Sequence, residues 1–143
     1  MKNSIFSPGA NPKQSLGRRG ELHAQLILKN AGWRIITTNW RAGRFAEIDI
    51  IAREPGNTLV FVEVKTRKKP MADFGFVNSG FDSIGRRKKE KIMIAASLFM
   101  AKYRYLSCAC RFDAIIVYYP INYEYKTIDG LPEPEVNHVV GIF

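Results

Sequence analysis

Three charged residues interrupt segments that otherwise read as buried strand, and their types suit metal-assisted phosphodiester chemistry. Asp49 lies in Ala46 to Ala52 (AEIDIIA), and Glu63 and Lys65 lie in Thr58 to Thr66 (TLVFVEVKT). Side chains alternate faces along a strand, so Glu47, Asp49 and Ile51 share one face while Ile48 and Ile50 take the other. In the second segment Leu59, Phe61, Glu63 and Lys65 share a face, opposite Val60, Val62 and Val64. Arg53-Glu54-Pro55-Gly56-Asn57 supplies turn chemistry between the two. If the hairpin folds about Gly56, positions summing to 112 face each other, which sets Asp49 opposite Glu63. Directly opposed residues have Cβ atoms about 4.5–5.5 Å apart. Two carboxylates there repel by up to about 4 kcal/mol at an effective dielectric near 20, a conflict that a shared proton or cation removes.

A cation is the more productive answer. Mg²⁺ takes about six oxygen ligands, commonly one or two carboxylates with waters and phosphate oxygens. It lowers the pKa of a bound water and neutralises charge that develops during phosphodiester hydrolysis. Asp49 and Glu63 are the candidate metal ligands, with the backbone carbonyl of Val64 as a further hard donor. Lys65 stands beside them, where an ammonium can position the attacking water or steady the scissile phosphate. The bland alternative is an ion-pair cluster on a solvated sheet face. Against it, Leu59 and Phe61 lie on the same face as Glu63.

The elements that must hold these groups follow from periodicity. Residues 1–14 are polar, with two prolines, and read as a loose arm; 15–143 read as a single domain. Ser15 is a cap for a helix reaching about Asn30, with Leu22, Leu26 and Ile27 as its apolar side and Gly32 as its stop. Gly17 and Gly20 weaken the first turn. Trp33 to Trp40 has strand bias. Residues 67–85, with Pro70 and three glycines, read as a long loop of functional length. A second helix spans about Arg86 to Tyr105, with Ile92, Ala95, Ala96, Phe99 and Tyr103 at helical spacing. Arg111 to Tyr119 and Val136 to Phe143 read as strands, separated by an acidic, proline-bearing stretch, 120–135. The order α-β-β-β-α-β-β indicates an α/β fold with a mixed central sheet flanked by helices.

Charge names the class of partner. The 143 residues carry 22 Lys and Arg against 13 acids, a net +9, and residues 1–119 alone hold 21 bases and 9 acids. Such a body suits a polyanion, above all nucleic acid. Arg67, Lys68 and Lys69 end the third strand, and Arg86, Arg87, Lys88, Lys89 and Lys91 open the second helix. Cations at a helix N-terminus cost roughly 0.3–1 kcal/mol each against the dipole, so five of them point to phosphate. Trp33, Trp40, Phe99 and Tyr103 read as core; Phe74 and Phe76, in the loop, suit base stacking better. The longest nearly apolar run, Ile92 to Ala101, is ten residues, short of the roughly 20 a membrane span needs. The N-terminus lacks the apolar core of a secretion signal. No membrane association and a cytoplasmic setting are expected, with Cys108 and Cys110 as reduced structural thiols.

Wider motifs sharpen this reading. Gly17-Arg18-Arg19-Gly20-Glu21, Asn39-Trp40-Arg41, Glu47-Ile48-Asp49-Ile50-Ile51-Ala52, Phe61-Val62-Glu63-Val64-Lys65-Thr66-Arg67, Lys88-x-x-Lys91-Ile92-x-x-Ala95-Ala96 and Arg111-Phe112-Asp113 occur in that order. Together they resemble the bacterial YraN family of the PD-(D/E)XK restriction-endonuclease-like superfamily, itself similar to archaeal Holliday-junction resolvases. The resemblance implies a restriction-endonuclease-like fold with Asp49 and Glu63 as metal ligands. It implies Lys65 as the catalytic lysine and Glu21, from the first helix, as an additional active-site acid. Arg18 and Arg19, beside Glu21, join the basic residues expected to meet nucleic acid.

Two functions fit. One is a Mg²⁺- or Mn²⁺-dependent nuclease acting on DNA, including branched or damaged DNA. The other is a nucleic-acid-binding protein that keeps the fold with little or no catalysis. A homodimer would serve a cut on both strands of a duplex.

Overall fold

The hairpin built around the two acids is the centre of a five-stranded mixed sheet. In the computed structural model, which describes residues 12–75, 85–121 and 133–143, the elements run as follows. They are α1 (Pro12–Asn30), β1 (Arg34–Ala42), β2 (Ala46–Arg53), β3 (Leu59–Lys69), a short 3₁₀ turn (Met71–Asp73), α2 (Arg86–Lys102), β4 (Cys110–Pro120) and β5 (Glu135–Val139). The strands lie side by side in chain order. Neighbours are antiparallel except β3 and β4, which pair in parallel from Leu59–Cys110 to Lys69–Pro120. A parallel pair needs a long crossover, and α2 lies within it. This is the mixed α/β sheet with flanking helices that the order of periodicities indicates.

Each helix covers one face. Leu16, Ala24 and Leu28 of α1 pack on Ile50, Ala52, Val60, Val62, Ile115, Val117 and Tyr119. Ala95, Ala96, Phe99 and Met100 of α2 pack on Ile48, Ile51, Leu59 and Phe61. Because both faces are covered, β4 carries an unbroken apolar run, and every residue from Ala114 to Tyr119 is buried.

Several boundaries differ from the sequence reading. The first helix begins at Pro12, three residues before Ser15. Its buried side is Leu16, Ala24 and Leu28, while Leu26 is exposed. It stops where expected: Gly32 adopts φ +85°, and Gly32 and Trp33 donate their N–H groups to the carbonyls of Lys29 and Leu28 at 3.0 Å, a Schellman end. The third strand continues through Lys69, so the loop expected from residue 67 begins at Pro70. The second helix stops at Lys102, leaving Tyr103 exposed and not core. The last strand ends at Val139. Residues 1–11 of the expected arm, Phe76 and most of the acidic stretch lie outside the described residues. Cys108 and Cys110 are free thiols.

Candidate active site

The β2–β3 hairpin turns through Pro55-Gly56, with Asn57 at φ +74° closing it and the Glu54 N–H donated to the Thr58 carbonyl at 3.0 Å. That turn fixes the register: Arg53 faces Leu59 and Ile50 faces Val62, so paired numbers do sum to 112. Pairing ends there, one residue short of Asp49 and Glu63, and the strands part. Val64, beyond the last β2 partner, donates its backbone N–H to Asp49 Oδ2 at 2.7 Å. The divergence also undoes the strict alternation of β2. Ile48 packs with Ile51 on the α2 side and not with Ile50.

Four carboxylates converge on this opening. Asp49 is half-buried, and its pKa is pushed up to about 7, first by burial and then by the neighbouring Glu63 charge. The Val64 hydrogen bond opposes the shift, Glu21 adds to it, and Lys88 again opposes it. Glu21, from α1, is raised by burial, with Glu47 and Glu63 contributing and the Asn39 hydrogen bond and Arg18 opposing. Asn39 adopts φ +50°, and with its side-chain amide turned to face the acids its nitrogen donates to Glu21 Oε2 at 3.3 Å and Glu47 Oε1 at 3.1 Å. Arg41 closes on Glu47 at 3.1 Å. Lys88, reaching down from the first turn of α2, bonds Glu63 Oε1. Lys65 follows Glu63 on β3, half-buried, two residues along on the same face.

Gly20 sets the approach of α1. A Cβ there would stand 2.0 Å from Thr66 Oγ1 and 3.2 Å from Thr66 Cβ, so only glycine lets the helix lie this close to β3. The neighbouring residue, Glu21, is thereby held over the hairpin. The structure brings it within electrostatic reach of Asp49, Glu63 and Glu47.

The donor set is all oxygen. Among the described residues no three His, Cys, Asp or Glu side chains make a metal cage by themselves. Two desolvated carboxylates completed by backbone, water and phosphate oxygens are nevertheless the composition that Mg²⁺ accepts. In an extended strand a residue's N–H and C=O point to the same side; because the Val64 N–H meets Asp49, its carbonyl faces the same opening. The residues present therefore fit a hard divalent cation.

The basic residues divide. Arg18, Arg67, Lys68, Arg86, Arg87 and Lys91 are exposed, Arg67 and Lys68 lining the end of β3. Lys88, also exposed, is engaged with Glu63. Arg19 is 7% exposed, its charge acting on His23 and Tyr119; it is a buried cation and not part of a surface. Lys69 pairs with Glu135 at 3.0 Å and caps the Tyr118 ring, and Lys89 sits over Phe143. Between the start of β2 and α2 opens a cleft of about 440 Å³ lined by Ala46, Glu47, Arg87, Lys88, Lys91 and Ile92.

A second polar cluster went unread in the sequence. Asp113, fully buried, accepts hydrogen bonds from Arg111 at 2.8 and 2.9 Å, His138 Nε2 at 2.8 Å and the Gly141 N–H at 3.0 Å. Burial alone would raise its pKa, but these donors together hold it down at about 2. Arg111 also reaches Glu54 at 3.0 Å. The set ties β5 and the chain beyond it to β4 and to the hairpin turn. An aspartate in an otherwise apolar strand was its sequence signal. Asn39, Glu47 and the Lys88–Glu63 pair went unread because each depends on elements distant in sequence.

Comparison with known proteins places this geometry in a bacterial group. The family model described as Uncharacterised protein family UPF0102 matches residues 20–117, a span that holds Glu21, Asp49, Glu63, Lys65 and Lys88. A UPF0102 protein of Desulforapulum autotrophicum is 40% identical over 109 residues, 76% of this chain and 84% of its own length. One from Caldicellulosiruptor saccharolyticus is 37% identical over 117 residues, covering 82% and 93%. One from Parafrankia is 44% identical over 105 residues, covering 73% and 83%.

Proposed function

The chain belongs to the UPF0102 family, and on that footing we propose that it is a metal-dependent nuclease of restriction-endonuclease-like type that hydrolyses DNA phosphodiester bonds. The observation that carries this reading is the parted end of the hairpin. There Asp49, bonded to Val64 N–H at 2.7 Å, faces Glu63 in a site dry enough to push Asp49 up to about 7. A purely structural hairpin gains nothing from adjoining, half-buried acids.

Asp49 and Glu63 would hold the ion, Mg²⁺ or Mn²⁺, with the Val64 carbonyl beside them. When bound, it would supply Lewis-acid polarisation of the scissile phosphate and a more acidic water. Lys65 offers an ammonium to the attacking water or to a non-bridging phosphate oxygen. Glu21, held by Asn39, is placed to accept a proton from water entering the site. The Lys88 ammonium offsets the carboxylate charge, and release from Glu63 would free it to meet substrate phosphate. Exposed Arg67, Lys68, Arg86, Arg87 and Lys91 would grip the backbone, steering DNA to the acids.

A second reading, a DNA-binding protein without catalysis, is favoured by the Lys88–Glu63 pair, which already neutralises one ligand. A panel of linear, nicked, flapped and four-way DNA, incubated with Mg²⁺ or Mn²⁺, separates the two. Wild type should cleave at least one member, and Asp49→Ala should lose 10²-fold or more of that activity while retaining DNA binding. Binding without cleavage by wild type supports the second reading, and equal cleavage by both proteins overturns the first.

A further inference from the structure

We propose that Phe45 and the cleft it lines with Arg87 and Lys91 bind a nucleotide whose base is out of the stack, so that the preferred ligand is single-stranded or splayed DNA. This inference rests on the reading above that the basic face handles DNA. It adds a class of substrate and a residue that reading does not use.

Phe45 lies in the turn between β1 and β2, directly before Ala46, and is 43% exposed. A large aromatic ring in that position packs only partly on the protein, with the Lys91 ammonium over one face. It forms one wall of a cleft of about 290 Å³ whose other residues are Arg87, Glu90, Lys91 and Ile94. Arg87 and Lys91 also line the 440 Å³ cleft that contains Glu47 and Lys88. The two clefts therefore meet along one pair of cations, with Phe45 and Ile94 on one side and Glu47 and Lys88 on the other.

Their chemistry is that of a nucleotide. Bases stack on aromatic rings whatever their sequence, while Arg and Lys take the adjoining phosphates. Lys91 Nζ already stands 6.0 Å from the centre of the Phe45 ring, which sets a phosphate-binding charge next to a stacking surface. Glu90, the one acid in the cleft lining, is held by Arg86 at 3.1 Å, so its charge opposes a phosphate little. A paired duplex presents phosphates and groove edges, and its base faces are covered by their neighbours; only an unstacked base can meet the ring. Ala46 and Asp49 are three residues apart on β2, about 10 Å. The stacked base thus belongs to a nucleotide near the phosphate at Asp49 and not to the one being cut.

The test measures binding of a short labelled oligothymidine, and of the same strand annealed to its complement, by fluorescence anisotropy in EDTA at fixed salt. Working without metal lets a protein that never cleaves still answer. Wild type should prefer the single strand. Phe45→Ala should weaken it about fivefold or more and change duplex binding less than twofold. Phe45→Trp should restore single-strand affinity, and the tryptophan added to Trp33 and Trp40 should be quenched by oligothymidine beyond any change in wild type. Equal losses on both DNA forms, or none on either, overturn the stacking site while leaving the DNA reading intact. If wild type binds neither form, both inferences fall together.

Discussion

Asp49 is where charge, burial and hydrogen bonding meet, and its protonation gives a direct test. Its ordinary value of 3.8 is raised to about 7 in the fold. Between those limits the folded chain holds a proton that the unfolded chain has released. Stability from this group is therefore full below about pH 4 and is lost as pH rises through about 7. In EDTA, Asp49→Asn should match wild type near pH 4 and exceed it by about 2–4 kcal/mol at pH 8. Urea unfolding at several pH values measures this. A constant difference across the range would mean that burial and the neighbouring acids do not raise the Asp49 pKa. The nearness of Asp49 to Glu63 was legible from turn chemistry, because the register keeps paired numbers summing to 112 up to Ile50 and Val62. Asn39 was not, because its role depends on a positive φ and on two acids from other elements. Ile48 was misread because alternation assumes an undisturbed strand, and β2 parts from β3 beyond Ile50 while staying paired to β1.

At the scale of elements, the contact of α1 with β3 decides whether Glu21 reaches the hairpin. Gly17 and Gly20 both read as helix-weakening in the sequence, yet they do different things. Among the described residues a Cβ at Gly17 meets nothing within 4 Å, whereas one at Gly20 collides with Thr66 Oγ1 at 2.0 Å and crowds Thr66 Cβ and Cγ2 at 3.2 and 3.3 Å. Gly17→Ala should stabilise by about 0.5–1 kcal/mol through the unfolded chain. Gly20→Ala should destabilise by about 1–3 kcal/mol and, by lifting α1, reduce any cleavage more than DNA binding. Denaturant midpoints of the two variants check the first part and the cleavage panel the second. No single-residue propensity distinguishes these glycines; only the distance to Thr66 does. The register of β2 on β3, by contrast, was readable because Pro55-Gly56-Asn57 admits few turns.

For the whole molecule, net charge indicated a polyanion but not which cations would face it. Arg19 is buried, and Lys69 and Lys89 lie against aromatic rings, because long basic side chains cover apolar surface as readily as they meet solvent. The exposed set is correspondingly smaller than the sequence suggests. Affinity for duplex DNA should fall with salt at a log–log slope near −0.9 for each phosphate neutralised, and Arg67→Ala should make that slope shallower by about one. Anisotropy titrations across salt concentrations measure both; a slope near zero removes phosphate contact as the basis of binding. Among the described residues no helix is long and apolar enough to cross a membrane.

The parallel seam between β3 and β4 joins Leu59 to Cys110, whereas the β2–β3 turn joins Arg53 to Leu59. A local ribbon of that kind forms in microseconds, and distant parallel pairing is slower. The local ribbon that brings the two acids together is therefore expected to form ahead of the β3–β4 seam. On the proposed metal reading, magnesium in the refolding buffer should ease the meeting of those like charges and quicken folding of wild type, an effect Asp49→Asn should lack.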